Sequence, residues 1–483
     1  MASRIQLIPK RYVLLVFVFL AYTVSYSARV DLSVAIVSMV TNGIHWDIPQ
    51  QGSVLSAFYL GYLLTQVAGG ILAKKYGGKH VVGVGIAVAS VVTLMTPFLV
   101  RRANELYVAY TLRFVIGLSQ GLTNPAILQL LANWSPKNER SRMIAIANTG
   151  IMLGTIMVMS LGGVLCKSTS LGGWPSVFVV FGLFGCVCSS AWSVVVSESP
   201  QQHPTISEEE KKHILGDSTE STEQSNVETT NDAIPWFQIF TSLPVWANCI
   251  GISCRNWVWY YLITELPSFY KDILHVNILS NGFLSTLPFI VASISQVLAG
   301  FVTDWLKGKP ISTLNVRRIS VLTCFAPTTV LLTVVMFTTQ PWLVVTCVTM
   351  STAALPLIRT TTLENILDIT PRFSGVTLGF VNTIANLSGV LMPIVTSYFL
   401  RDDPSRENYK KVMLVNVLIC VCGAMFFCCF ASGDEQPWNK VLDKQQNDSV
   451  DISERTHIIR PRYVPTIFTC SIHPQTNVQA TSQ

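Results

Sequence analysis

Three arginines stand inside hydrophobic stretches, where a charged side chain is costly: Arg29, Arg113 and Arg255. At the centre of a membrane-spanning helix each costs roughly 2.5–3.5 kcal/mol on the insertion scale, so such residues face partners or an internal cavity. A guanidinium keeps its proton and donates two parallel hydrogen bonds, which suits a carboxylate or a phosphate. The pattern therefore predicts a path for an anion. The alternative is a set of buried ion pairs that only hold helices together.

The composition is that of a membrane protein. Half of the 483 residues are hydrophobic and 12% are charged, whereas a soluble domain is closer to a quarter charged. The net charge of +6 is attributed to loops on the cytoplasmic side, not to nucleic-acid binding. The twelve cysteines lie mostly in apolar runs and indicate small buried side chains. We expect no cofactor, a monomer, and at most a coupling ion such as Na⁺, H⁺ or Cl⁻.

Apolar runs of about 20 residues, the length that a helix needs to cross a bilayer, recur along the chain. They predict an all-α membrane protein with twelve transmembrane helices in two bundles of six around a central cavity. The predicted spans are 12–40, 53–73, 80–100, 106–133, 142–166, 174–196, 244–270, 282–305, 319–338, 342–367, 376–400 and 412–431. The predicted domains are an N-terminal segment 1–11, bundles 12–196 and 244–431, an acidic cytoplasmic linker 197–243 and a flexible tail 432–483.

Lysines and arginines concentrate in the loops after the second, fourth and eighth spans. The positive-inside rule therefore places both termini in the cytoplasm. In the linker, Ser207 with Glu210 three residues later predicts the start of a short helix.

The two halves of the chain repeat a pattern. Gly52 and the motif Gln-Val-x-x-Gly at 66–70 recur at Gly282 and 296–300, and Asn148-Thr149 in the fifth span matches Asn382-Thr383 in the eleventh. Such a repeat predicts two related bundles with a substrate site between them near the middle of the membrane.

The loop after the second span, residues 70–79 (GILAKKYGGK), resembles the loop signature of the major facilitator superfamily. Lys74 stands where that family normally has an aspartate, while the second-half copy keeps its acid as Asp304. The resemblance implies a conformational latch at these loops, with its first-half part altered.

The match is narrower than the superfamily. Residues 29–37 (RVDLSVAIV), 172–178 (GGWPSVF), 264–267 (TELP) and 367–372 (LDITPR) resemble the anion:cation symporter family, which includes sialin, the vesicular glutamate transporters and the type I sodium–phosphate transporters. The resemblance extends over about residues 11–438.

This family resemblance implies anion transport by alternating access. The family's binding arginines fall on Arg29 and Arg113, and the arginine that some members add falls on Arg255. We expect the first two to hold the substrate and Arg255 to tune or gate the site. Tyr59 and Tyr260 are candidate walls of the site, with ordinary helix packing as the alternative.

Gln120 stands where sialin-like and glutamate-type members carry a glutamate. A buried glutamate can bind and release a proton, whereas glutamine cannot titrate. The residues around Gln120 resemble the type I phosphate branch, whose members respond to membrane potential. We therefore predict transport that follows membrane potential more than a pH gradient.

Three further charged residues are candidates for coupling or gating. Arg359 and Glu364 lie in the tenth span, where the family has neutral residues. A structural pair near the cytoplasmic end is the favoured interpretation, and Glu364 as a replacement for the missing acid is the other. Glu265 in the seventh span could be a coupling acid or a helix-end partner.

The leading hypothesis is a secondary carrier of small organic anions. The alternatives are a sodium-coupled phosphate transporter, a proton-coupled sialin-like exporter, and a receptor that binds an anion without moving it. Motifs of phosphate-binding loops, zinc sites or serine nucleophiles are not found, so an enzyme is disfavoured. The membrane is expected to be the plasma membrane or a lysosomal or vesicular one.

Overall fold

The computed structural model describes residues 9–439 apart from 42, 102–104, 137–138, 169–171, 216–233, 308, 339 and 372. For 67, 140–141, 215, 297, 299–307, 360 and 375 it describes only the backbone. The predicted tail from 440 onward and much of the predicted linker lie outside these residues. The sixteen helices of the described residues belong to one compact unit that ends at Glu435.

Every regular element longer than three residues in this described part is an α-helix. In the first half the helices are α1 (Lys10–Thr41), α2 (Ile48–Tyr76), α3 (Gly78–Val100), α4 (Glu105–Trp134), α5 (Arg140–Lys167) and α6 (Pro175–Val195). Two short helices follow, α7 (Glu208–Leu215) and α8 (Trp236–Thr241). The second half consists of α9 (Leu243–Thr264), α10 (Leu266–Leu274), α11 (Ile278–Lys307), α12 (Thr313–Phe337), α13 (Pro341–Ala354), α14 (Pro356–Ile369), α15 (Ser374–Leu400) and α16 (Arg406–Phe430).

Length and hydropathy pick out most of the predicted spans. Among the described residues, ten helices are long and apolar enough to cross a membrane when α13 and α14 are taken as one span. The helix α2 bends by 51°, and if its two parts are counted as one span the number is eleven. The predicted seventh span, 244–270, is built by α9 and α10 and falls outside that set. It carries buried polar residues, among them Asn248, Arg255 and Glu265, which suit a helix that faces the protein interior rather than lipid.

Two spans of the second half are broken helices. The seventh span breaks at Glu265, with Pro267 in the first turn of α10. The tenth breaks at Leu355, with Pro356 as the first residue of α14. Proline lacks the N–H that would continue the preceding helix and is well tolerated in a first turn.

The two halves meet through α2 with α15 and through α5 with α11. Ser56 Oγ donates to the carbonyl of Val390 at 3.0 Å. A Cβ atom built on Gly163 would lie 3.1 Å from the Cα of Gly282, so these two backbones touch. All four residues lie toward the end of the molecule opposite the start of α1, which we call the far side; the other end is the N-terminal side. The halves are thus closed against each other at the far side.

On the N-terminal side the short helix α7 is held to the start of α1. Glu210 N–H donates to Ser207 Oγ at 3.2 Å, the predicted cap. The Glu210 carboxylate accepts from the backbone N–H groups of Lys10 and Arg11 at 2.9 and 3.0 Å. Arg11 Nε also donates to Glu139 at 3.2 Å. The linker therefore begins as a structured element fixed to the first bundle.

The loop that departs from the superfamily pattern has its own anchor. The side chain of Lys74 is exposed and is not part of an ion pair among the described residues. Glu198, at the end of the first bundle, accepts from the backbone N–H groups of Gly78 and Lys79 at 2.9 and 2.7 Å. A carboxylate at the start of α3 satisfies free N–H groups there. The side chain of Asp304 lies outside the described residues, so its latch role stays a prediction.

Candidate functional site

Arg29 lies in a cage of aromatic rings. The distances from its guanidinium carbon to the ring centroids are 4.6 Å for Tyr62, 4.8 Å for Phe58, 5.1 Å for Tyr26 and Tyr59, and 5.6 Å for Tyr260. Its Nε and Nη2 atoms are buried and have no hydrogen-bond partner. Ring faces stabilise a cation without accepting its hydrogen bonds in full. The donors of Arg29 are therefore available to an anionic ligand.

Arg113 is arranged in the opposite way. Its Nη2 donates to Asp31 Oδ1 at 2.5 Å and its Nη1 to the carbonyl of Ala28 at 3.0 Å. Its side chain is 3% exposed and that of Asp31 is fully buried. Arg113 lines neither of the two cavities described below. In this conformation it fits the ion-pair alternative, and its role in holding substrate stays a prediction.

The ion pair of Arg113 also has a consequence for Arg29. Its two acceptors, Ala28 and Asp31, stand on either side of Arg29 in α1. Residues one and two positions apart on a helix face different directions. The bonds from Arg113 on α4 therefore fix the rotation of α1 about its axis. In that orientation Arg29 points into the cage of aromatic rings.

Arg255, on α9, faces the same space from the second half. Its guanidinium carbon lies 4.6 Å from the centroid of the Trp259 ring. Its Nη1 donates to Asn256 Oδ1 at 3.0 Å, while its buried Nε has no partner. Arg29 and Arg255 are thus two incompletely satisfied guanidinium groups, one from each half.

A cavity of about 740 Å³, part of it open to solvent, lies between the two halves. Its wall consists of Tyr26, Arg29, Tyr62, Gln66, Asn124, Ile151, Met152, Ile252, Arg255, Asn256, Trp259, Tyr260, Arg359, Asn382 and Asn386. Within this described wall there are three arginines and no aspartate or glutamate. The cavity is therefore electropositive, aromatic and rich in amides.

A second cavity of about 390 Å³ adjoins the first on the side of α4. It shares Tyr26, Arg29 and Arg359 with it and adds Gln120. The Nε2 atom of Gln120 is buried without a hydrogen-bond partner. The predicted coupling position thus lies at the site and offers an amide donor.

Tyr59 and Tyr260 close the far end of the cage. Their ring centroids are 4.6 Å apart. Tyr260 OH donates to Asn386 Oδ1 at 2.7 Å, which joins α9 to α15. Tyr260 lines the larger cavity, whereas Tyr59 packs behind it and its hydroxyl is buried without a partner. The two tyrosines link the halves between the site and the closed far side.

Arg359 and Glu364, the two charged residues of the predicted tenth span, lie in different surroundings. Glu364 accepts from Nη1 of Arg317, and Asp368 accepts from Nε and Nη2 of the same arginine at 3.1 and 2.8 Å. This cluster joins α12 to α14 at the N-terminal side, as in the structural interpretation of Glu364, although its partner is Arg317. Arg359 instead lines both cavities.

Glu265 lies at the break between α9 and α10. Glu265 is only 8% exposed, and it forms no ion pair among the described residues. It lines neither cavity. The structure therefore does not place Glu265 in the cavity wall with the arginines, and its role as a coupling acid stays a prediction.

Sequence reasoning missed Tyr26, Tyr62 and the amides of the wall. A signal was present, because Tyr26 and Arg29 are three positions apart on α1 and Tyr59 and Tyr62 are three apart on α2, which places each pair on one helix face. Asn382 was noted only as part of the internal repeat, yet it lines the cavity.

A larger cavity, about 900 Å³, lies at the far side within the second half. Its wall includes Asp272, Arg406 and Lys410, and Tyr409 OH donates to Asp272 at 2.8 Å. Because it is bounded by second-half elements alone, it does not lie on a path between the halves. The site at Arg29 and Arg255 is therefore the candidate functional site.

Two helical halves that enclose a polar cavity at mid-membrane, closed at one side, define the class of secondary carriers with alternating access. Residues 14–393 match the Major Facilitator Superfamily. Human sialin is 34% identical over 461 residues, covering 89% of this chain and 90% of sialin. Vesicular glutamate transporter 1 of Xenopus laevis is 33% identical over 446 residues, covering 89% of this chain and 76% of that protein.

Solved structures agree on the fold. A bacterial homolog of the human lysosomal transporter Spinster, in an inward-facing and occupied conformation, has a TM-score of 0.67 at 16% identity and covers 87% of this chain and 96% of its own. A D-xylose-proton symporter also has a TM-score of 0.67, at 13% identity, covering 87% of this chain and 98% of its own. The chain belongs to the major facilitator superfamily and, within it, to the anion:cation symporter family of sialin and the vesicular glutamate transporters. The predicted fold class and family are confirmed.

Proposed function

We propose that the protein carries small organic anions across a membrane and binds them at Arg29 and Arg255. The observation that supports this most is that Nε and Nη2 of Arg29 have no hydrogen-bond partner at a cavity whose described wall contains no acid. An anion supplies both the missing charge and the missing acceptors. Vesicular glutamate transporters, relatives of this chain, are named for an organic anion.

Because one binding arginine comes from each half, the bound substrate can influence the conformational change. A ligand that bonds to Arg29 on α1 and Arg255 on α9 stabilises the state in which the two halves approach around it. A ligand shifts such an equilibrium only by its difference in affinity for the two states. In the present conformation the far side is closed, which leaves the N-terminal side for entry and release.

In this proposal Arg113 positions the site and does not bind substrate in the present state. Its bonds to Ala28 and Asp31 hold α1 with Arg29 toward the cavity. Both termini lie in the cytoplasm, as the positive loops indicate, so the present state faces the cytoplasm. We place the carrier, as a monomer, in the plasma membrane or in a lysosomal or vesicular one.

Membrane potential drives transport in this proposal. Gln120 lies at the site but cannot exchange a proton. Moving one net charge across the membrane yields about 2.3 kcal/mol per 100 mV. A carrier of anions whose site keeps its own positive charge responds to that potential without a titrating side chain.

The test is uptake into proteoliposomes of purified protein, with a potential, a proton gradient or a sodium gradient imposed singly. Labelled glutamate, sialate, urate and phosphate are the probes. We expect uptake of an organic anion that follows potential and is lost in Arg29→Gln. Strict dependence on the proton gradient contradicts the proposed driving force. Sodium-dependent phosphate uptake as the main activity supports the phosphate alternative.

Counterflow separates a carrier from a receptor. Vesicles preloaded with unlabelled anion should accumulate the labelled anion transiently, because exchange needs only an alternating site. A protein that binds the anion and shows no counterflow is a receptor and contradicts transport. Arg401→Gln is the matched control, since Arg401 is exposed at the far side and its one ion pair among the described residues is with Asp402, its neighbour in sequence.

A further inference from the structure

Arg359 has a position that neither the family resemblance nor the proposed anion site explains. It lies in the first turn of α14, directly after the break at Leu355 and Pro356. Its side chain is exposed and lines both cavities, so it stands where the two join. Glu364, the nearest acid along α14 in sequence, is bonded to Arg317 on α12. The charge of Arg359 is thus presented to the ligand space.

The charge of the wall is not balanced by protein groups. Arg29, Arg255 and Arg359 line the larger cavity, and no acid does so among its described residues. The smaller cavity has Arg29 and Arg359 and likewise no acid in its described wall. Arg255 and Arg359 line the same cavity, so their like charges repel each other across it. One monovalent anion leaves part of this repulsion uncompensated.

The remaining polar groups of the wall are amides and tyrosine hydroxyls. Those that surround the arginines are Gln66, Asn124, Asn256, Asn382, Asn386, Tyr26, Tyr62 and Tyr260. They can accept hydrogen bonds from an ammonium group but do not carry the opposite charge that would offset three guanidinium groups nearby. An ammonium on the ligand would be repelled, which is how a site rejects a competitor by charge.

We propose that Arg359 makes the site selective for organic dianions that carry no ammonium group. One negative group of the ligand bonds to Arg29 and Arg255, and the second meets Arg359 at the junction of the cavities. The aromatic faces of Tyr62 and Trp259 contact the body of the ligand, which favours an organic dianion over inorganic phosphate. This inference rests on the proposed function and deepens it.

The experiment compares matched ligands by titration calorimetry of the full-length protein in detergent micelles. Benzoate and isophthalate differ by one carboxylate, and succinate and aspartate differ by one amino group. We expect isophthalate to bind roughly tenfold more tightly than benzoate, and succinate roughly tenfold more tightly than aspartate. Phosphate should bind more weakly than isophthalate; tighter binding of phosphate overturns the organic part of the inference.

Arg359→Gln should lower the isophthalate-to-benzoate preference to about twofold or less, because the second carboxylate then has no guanidinium to meet. Arg359→Lys, which keeps the charge, should retain most of the preference. Thermal melting checks that both variants fold. We expect both to fold because Arg359 makes no hydrogen bond or ion pair with the described residues that a substitution would remove. Equal affinities of the wild type for the two aromatic acids overturn the inference, and so does an unchanged preference in Arg359→Gln.

The failure of the proposed function gives a different result. If no anion of the panel binds to the wild type, or if Arg29→Gln binds all of them as before, the anion site itself is wrong. If Arg29→Gln loses every anion while Arg359→Gln keeps the preference for dianions, the carrier proposal stands and only the role of Arg359 is refuted.

Discussion

The buried arginines of the first half have the same chemistry in two different settings. Arg113 has a carboxylate at 2.5 Å and a carbonyl at 3.0 Å, and its charge is used within the protein. Arg29, one helix away, has aromatic rings around it and no acceptor on two of its nitrogens. The comparison shows that burial of a charge does not by itself mark a binding site. A guanidinium that lacks acceptors and lines a cavity is the stronger candidate to bind a ligand.

The second half repeats this division. Arg317 joins α12 to α14 through Glu364 and Asp368 at the N-terminal side, whereas Arg255 and Arg359 are turned to the cavity. Arg113 and Arg317 join helices within one half, whereas Arg29, Arg255 and Arg359 line the cavity between the halves. Loss of the first kind should therefore reduce stability, and loss of the second kind should reduce binding.

The largest effect is expected at the buried pair of Arg113 and Asp31. Asp31→Asn or Arg113→Gln alone leaves one buried charge without a partner, which costs about 3–5 kcal/mol of folding free energy. The measurement is unfolding of the purified protein in micelles. The double variant should recover a large part of the loss, because neither charge then remains. Single variants as stable as the wild type would mean that Arg113 is available to substrate.

Arg29→Gln should reduce transport by a factor of about 100 or more, because a charge-assisted contact to the ligand is lost in a desolvated site. The melting temperature should stay within a few degrees of the wild type, since the removed guanidinium has no partner on Nε or Nη2. Uptake and melting are measured on the same preparation. A strongly destabilised protein would show that Arg29 has a structural role like that of Arg113.

The ring of Tyr62 tests how the cage holds Arg29. Tyr62→Phe keeps the ring face and should change ligand affinity little. Tyr62→Ala removes it and should weaken binding by about 0.5–2 kcal/mol, the range of one cation–π contact. Affinity for a matched anion is measured for both variants. If Phe and Ala are equally damaging, the hydroxyl group rather than the ring face supports the site.

The smallest effect is expected at Glu364. Its side chain is 29% exposed, and Asp368 remains as a second partner of Arg317. Glu364→Gln should cost less than about 1 kcal/mol in stability. Potential-driven uptake should persist. Loss of uptake with stability retained would instead support Glu364 as a coupling acid.

Periodicity and composition were sufficient for the helices, because a span of about 20 apolar residues has few alternatives in a bilayer. They did not predict the breaks at Glu265 and Leu355, although Pro267 and Pro356 stand beside them. From a single sequence, a proline in the first turn of a new helix cannot be told from a proline inside a continuous helix. Which of them occurs depends on packing, and Pro125 and Pro393 lie inside unbroken helices.

The roles of the arginines were harder to predict than their presence. Asp31 is two positions from Arg29 in the sequence, yet it bonds to Arg113 on another helix. Two positions on a helix correspond to different faces, so the neighbour in sequence was a poor guide to the partner in space. Arg359 lines the cavity while Glu364, five positions on, bonds to Arg317 on α12, and the pattern of apolar residues does not distinguish these two positions.

The contact of Gly163 with Gly282 affects the equilibrium between the state closed at the far side and the state open to it. A single methyl group on either residue would force α5 and α11 apart where the far side is now sealed. Such a change touches no ligand group. It would raise the population of the state that is open to the far side and so alter the rates of the cycle, while the intrinsic affinity of each state stays the same.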